Sequence, residues 1–201
     1  MVQLLSTEQM AEFANSGCLF FDGLIDNETN KEFLNDIGHT DIENVDNMQK
    51  YFQNIKASSS IPRIPAGTPL KNAYPHKSPL EKIFQNEVVA GAINSLVGSE
   101  AVVDHQFLHL TFPTKYFKKT NQRQMSQVNH QDSTIDPRIT FDIQLFYFPT
   151  DVTKEMGGTR YHPGTHLRIV NEMGIAKYQN IKGQKNIVCK AGTIGIFHNG
   201  L

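Results

Sequence analysis

The feature that most limits what this chain can fold into is a change of period near Gly98. Ahead of it, Leu80, Ile83, Phe84, Val88, Ala92 and Leu96 recur at i, i+3 and i+4, the repeat of a helix with one apolar face. Ser78-Pro79-Leu80-Glu81 opens that helix with Ser at the N-cap, Pro at the first helical position and Glu at N3, and Gly98 can close it. Beyond Gly98 the apolar residues come in short runs: Val102 to Phe112, Ile139 to Phe148, Thr159 to His162, Asn186 to Cys189 and Thr193 to His198. Gly, Pro or polar turns separate them, as between strands. Helices followed by strands predict an α+β domain, mainly β, with the helices packed outside a sandwich or barrel.

The N-terminal part supplies more of the helical layer. Ser6-Thr7-Glu8-Gln9 has the form of a capping box, Met10, Phe13 and Ala14 give an apolar stripe, and Gly17 ends the helix before Cys18-Leu19-Phe20-Phe21. Asp26 can cap a second helix through Phe33, Leu34 and Ile37, closed by Gly38. Between Thr40 and Lys77 the chain turns polar, with Ser58-Ser59-Ser60, Pro62, Pro65, Pro69 and Pro75; a loop this long reads equally as a lid and as a connector. At 201 residues the chain fits a single domain, 1–201, with the helical layer and lid-like segment in 1–98 and the β core in 99–201.

Composition narrows the partners. A formal net charge of −1 offers no general attraction to nucleic acid or to an anionic membrane, so a small-molecule substrate is expected. No run approaches the roughly 20 apolar residues of a membrane span. The first 22 residues mix Glu8, Glu12 and Asp22 into their apolar positions, unlike a signal peptide. The two cysteines, Cys18 and Cys189, lie far apart in sequence and form no zinc or redox motif, which fits a reducing, cytoplasmic setting. Oligomeric state leaves no mark in the sequence. Lys115-Tyr116-Phe117-Lys118-Lys119 with Arg123 is the one basic cluster, read as a solvated loop, or more sharply as a contact for an acidic or phosphorylated substrate.

The chemistry concentrates at His130-Gln131-Asp132. On a strand, residues i and i+2 share a face with their roots roughly 6.6 Å apart, so one small ion can sit between an imidazole and a carboxylate. That donor pair, without thiolate, suits an open two-histidine, one-carboxylate Fe(II) site better than a closed zinc site. Taken alone, such a triplet is more often an exposed loop pair than a ligand pair.

Seven histidines besides His130 could complete the set. His105 and His109 stand roughly 13 Å apart on a regular strand, too far to share an ion, and read as partly buried strand residues. His39 and His76 read as surface residues. His162 and His166 flank Pro163-Gly164-Thr165, where His166 is expected to brace a strand crossing through hydrogen bonds. His198, near the end of the last apolar strand, remains as the third candidate.

Together these pieces resemble the phytanoyl-CoA dioxygenase family of Fe(II)- and 2-oxoglutarate-dependent oxygenases. The resemblance runs from Leu5 to Leu201 and rests on Asp22-Gly23-Leu24-Ile25, His130-Gln131-Asp132, the strand Gln144 to Phe148, and Gly157-Gly158-Thr159 followed by Pro163-Gly164-Thr165-His166. It implies a double-stranded β-helix, a cupin-like jelly roll with iron in its mouth, held by His130, Asp132 and a distal histidine. It also implies 2-oxoglutarate and O2 as cosubstrates, hydroxylation of a small or carrier-linked organic substrate, and release of succinate and CO2. By position Phe146 would line the cosubstrate pocket, although simple core packing explains it equally. An aspartate at position 132 favours hydroxylation over halogenation.

The family's distal histidine and its cosubstrate-binding arginine would fall past Leu201, since no Arg follows Arg168. The chain is therefore expected to be a fragment lacking the C-terminal part of the barrel, and inactive as such. An apolar last strand left with an unpaired edge supports that expectation. The alternative is a complete domain with His198 as third ligand. A different class of function, a non-catalytic jelly-roll ligand-binding module with a relic metal motif, also fits; a zinc hydrolase does not, because no His-Glu-x-x-His spacing occurs.

Overall fold

The computed structural model describes residues 2–39, 53, 55, 58, 60–110, 128–132, 141–169, 172–177 and 180–201. In chain order these form α1 (Thr7–Ser16), β1 (Cys18–Phe21), α2 (Asn27–Asp36), β2 (Thr68–Pro69), α3 (Pro79–Gln85), α4 (Glu87–Leu96), β3 (Val102–Val103), β4 (Ile143–Phe148), β5 (Arg160–Tyr161), α5 (Glu172–Ile175), β6 (Lys185–Asn186) and β7 (Thr193–His198).

Local chemistry sets the helix ends. Ser6 Oγ accepts from the Gln9 N–H (3.2 Å) while Gln9 Oε1 accepts from the Ser6 N–H (2.9 Å), the reciprocal pair that starts α1. Asp26 starts α2 by accepting from the Thr29 N–H (2.8 Å). The stretch from Leu80 to Leu96 differs from expectation: two helices stand in place of one. Asn86, with φ −54° and ψ 131°, leaves the helical region, and its side chain accepts from the N–H groups of Val88 (3.0 Å) and Val89 (3.3 Å) to start α4. The break also resets the helical phase, so Val89, Ala92 and Ile93 are buried where the unbroken repeat points to Val88.

One antiparallel sheet, in the order β1-β7-β4, carries the core. Its register pairs Phe20 and Phe146 with Gly195 from either side, and Ile143 with His198. The last apolar strand is thus central and paired along both edges, which removes the unpaired-edge argument; β1 and β4 are the outer strands among the described residues. Alternation sorts β7 into two faces. Ile194 and Ile196 join Leu19 of β1 and Phe13, Ile83, Val89, Ala92 and Ile93 of the helices in the larger core cluster. Phe197 turns the other way, into a cluster with Cys18, Ile187, Phe20, Phe146, Phe148 and Tyr161.

Elsewhere the expected strands shorten. β3 stops at Val103, paired with β2; beyond it Asp104 and His105 are exposed and bonded to each other (2.6 Å), and His105 and His109 are exposed residues outside any strand. β5 and β6 form a two-residue ribbon, and Val152 bridges Cys189. The described residues therefore hold mixed helix and antiparallel sheet, with more helix than strand and no closed barrel. The region 111–127, with the basic cluster, and 40–52, the first part of the lid-like stretch, lie outside the described residues. Among the described residues no helix is long and apolar enough to cross a membrane.

Phe197 is 5% exposed and meets Phe20, Phe146 and Tyr161 nearly edge-on at centroid distances of 5.4, 4.9 and 5.4 Å. Removing its ring leaves a cavity that three aromatic neighbours cannot close. Phe197→Ala is expected to lower stability by about 3–5 kcal/mol, read as a fall in the urea midpoint at unchanged slope.

Candidate metal and cosubstrate site

Residues 128–132 run as irregular chain rather than as the expected strand. Gln131 fixes them in place: it is 7% exposed, and its Nε2 donates to the main-chain carbonyls of Arg168 (2.7 Å) and Gly200 (2.6 Å). The Gly200 carbonyl is buried and needs a donor, and one amide with two hydrogens serves it and the Arg168 carbonyl together. The triplet is thereby tied to the segment that follows β7.

With Gln131 turned inward, its two neighbours turn toward solvent and toward each other. His130 Nδ1 lies 2.9 Å from the Val128 carbonyl oxygen, which can only accept, so Nδ1 carries the proton. His130 Nε2 then faces Asp132 Oδ1 at 3.5 Å. An imidazole lone pair and a carboxylate held face to face are reconciled by a proton on Nε2 or by a cation between them. The side chains are 43% and 46% exposed, open to a ligand from solvent. A nitrogen and an oxygen donor with the other imidazole nitrogen already bonded is the arrangement in which histidine and carboxylate bind a divalent metal. The pair fits half of an Fe(II) site.

Two amides back the carboxylate. Gln144 of β4 donates to Asp132 Oδ2 and to Asn199 Oδ1 (2.8 Å), and Asn199 Nδ2 donates to the Asp132 main-chain carbonyl (3.4 Å). Neither amide was singled out as a site residue by the sequence reading. The available signal was Gln144 itself, a lone amide inside the apolar run Ile143-Gln144-Leu145-Phe146-Tyr147-Phe148.

His198 is not brought to this pair. It follows the parity of Ile194 and Ile196, so it points to the helical side of the sheet while Asn199 points to Asp132. Its ring lies edge-on to Phe141 at 5.2 Å and 5.1 Å from the His166 ring, and its Nδ1 accepts from the Gly200 N–H (3.0 Å). His166 braces the crossing as expected: Nε2 donates to the Ala14 carbonyl at the end of α1 (3.2 Å). Both imidazoles border an apolar cavity of about 320 Å³ with Met10, Phe13, Leu96 and Phe141. Gly17 is required here, because its φ of 79° closes α1 and a Cβ would stand 2.6 Å from His166 Nδ1. Phe146 lies on the Gln144 face, stacked with Phe148 and edge-on to Phe197, within the second core cluster. Among the described residues no three His, Cys, Asp or Glu side chains lie close enough to hold one metal ion.

Burial holds the His166 and His198 imidazoles below the ordinary value of 6.5, and for His198 the neighbouring His166 adds to the effect. The unfolded chain therefore takes up these protons first as pH falls. The stability they contribute is complete above pH about 6.5 and is lost as pH drops through 6.5 toward the lower folded values. We predict a falling urea midpoint between pH 7.5 and 5.0, with a shallower fall in His166→Phe; equal slopes in the two proteins would refute the assignment.

The family model described as phytanoyl-CoA dioxygenase (PhyH) matches residues 13–201. None of the curated proteins matches the chain.

Proposed function

The chain belongs to the phytanoyl-CoA dioxygenase family, and from that premise we propose that it is a non-haem Fe(II)- and 2-oxoglutarate-dependent dioxygenase. In this reading it hydroxylates a small or carrier-linked organic substrate with release of succinate and CO2. The observation that carries it is the convergence of His130 Nε2 and Asp132 Oδ1 at 3.5 Å, at the position where the resemblance calls for the metal. Iron would supply the activation of O2 and 2-oxoglutarate. The protein's own part is to hold two donors ready: Gln131 anchors the turn, Val128 sets the His130 tautomer, and Gln144 engages the far oxygen of Asp132.

In the same reading the three-stranded sheet, with its aromatic face beside the pair, belongs to a jelly roll in one domain, 1–201, as the family resemblance implies. Phe146 contributes to the apolar floor next to Gln144, where a cosubstrate would lie. His198 braces the sheet against α1 and takes no part in ligation. Cytoplasmic placement belongs to the same reading, supported by two free thiols, one of them buried. The half-exposed pair, with no third ligand beside it among the described residues, equally suits a ligand-binding module that retains the motif without turnover.

Anaerobic Fe(II) titration followed by 2-oxoglutarate turnover separates the two. An oxygenase is expected to bind Fe(II) and release succinate, with Asp132→Ala lowering both to the level seen without iron. Fe(II) binding without succinate in the presence of cell extract would support the binding module. Failure to bind Fe(II), or an Asp132→Ala variant indistinguishable from wild type, sinks the oxygenase reading.

A further inference from the structure

The polar residues on the aromatic face of the sheet are better organised than a solvated rim requires. Gln144 pairs in register with Phe197 and has Phe146 as its next same-face neighbour, an apolar setting in which an amide must find partners. It finds two: Asp132 Oδ2 and Asn199 Oδ1 (2.8 Å). The orientation of both amides follows from the chain itself. The Asp132 main-chain oxygen can only accept, so it takes Asn199 Nδ2; Asn199 Oδ1 then faces Gln144 and can only accept, so Gln144 presents Nε2.

We propose that Gln144, held by Asn199, is a positioning residue that selects which oxygen of Asp132 is offered to the metal. The inference rests on the oxygenase reading of the His130–Asp132 pair. Gln144 engages Oδ2 and leaves Oδ1 facing His130 Nε2, so that Asp132 ligates through one oxygen. A carboxylate is two-fold symmetric about its last torsion, and without a partner it can turn or offer both oxygens. An amide suits this task because it is neutral: a Lys or Arg in its place would form an ion pair with Asp132 and withdraw the charge that attracts the cation. Asn199 holds the Gln144 amide through its second hydrogen and also bonds the Asp132 backbone, so one residue fixes both ends of the contact.

Co(II), added to the full chain under reducing conditions, reports both affinity and coordination. Gln144→Met keeps the length and packing of the side chain and removes its donors. It is expected to weaken Co(II) binding by about 10–100-fold and to change the absorption of bound Co(II), as the released carboxylate brings in its second oxygen. Asn199→Ala is expected to shift both readings in the same direction by less. A merely structural role would lower the urea midpoint and leave the bound-cobalt spectrum alone.

Wild-type affinity and spectrum in Gln144→Met, with binding lost in Asp132→Ala, would overturn the inference while leaving the oxygenase reading intact. If wild-type protein takes up no Co(II), both fall together. Should Gln144→Met not fold, Asn199→Ala decides by the same two readings, with an unchanged affinity and spectrum counting against the proposal.

Discussion

Everything described in this molecule depends on β7 being paired on both edges. All six of its residues are buried, and the strand holds β1 from the N-terminal part of the chain against β4 from the C-terminal part. Because successive side chains alternate, this one strand feeds two separate environments. Ile194, Ile196 and His198 meet the helices, whereas Phe197 and the following Asn199 meet the aromatic cluster and the His130–Asp132 pair. A slip of one residue in the pairing of β7 would exchange the two sets, placing a histidine beside the aspartate and an amide in the helical core. Gly195 helps hold the register: a Cβ there would stand 2.9 Å from the Phe197 ring and 3.2 Å from that of Phe20.

That parity explains where sequence reasoning succeeded and where it stopped. The helix starts were legible because capping is local: Ser6, Asp26 and Ser78 each bond an N–H three residues on. The final strand was legible because its apolar run and the turn at Gly192 are local too. The break at Asn86 was less visible, since Asn within an apolar repeat reads as an exposed position until its backbone is seen to leave the helix. His198 could be placed on a strand but not on a face, because faces are set by β1 and α1, more than 170 residues away. Gln131 and Asn199 were unreadable as partners for the same reason.

Among the described residues, neutral groups surround the His130–Asp132 pair. Beyond His130 and Asp132, the contacts shown for the triplet among the described residues are to the Gln144 and Asn199 amides and to main-chain carbonyls. Amides and carbonyls bring no formal charge to the carboxylate, a disposition that suits a bound cation. The buried histidines on the opposite face have a different role. His166 donates to the Ala14 carbonyl, His198 accepts from the Gly200 N–H, and burial keeps both imidazoles neutral. The exposed His130–Asp132 pair and the buried His166 and His198 thus lie on opposite faces of the sheet, the first half open to solvent and the second committed to packing.

The division carries a consequence for how the site and the fold can vary. Changes at Ile194, Ile196 or His198 act on the helical core and reach Asp132 only through displacement of the whole strand, whereas changes at Gln144 or Asn199 act on Asp132 through direct hydrogen bonds. Gln131 joins the two, since its amide bonds the Gly200 carbonyl, while the Gly200 N–H bonds His198 Nδ1. Gly200 is therefore the residue whose peptide groups bond both a buried imidazole on the helical side of the sheet and the turn that carries His130 and Asp132.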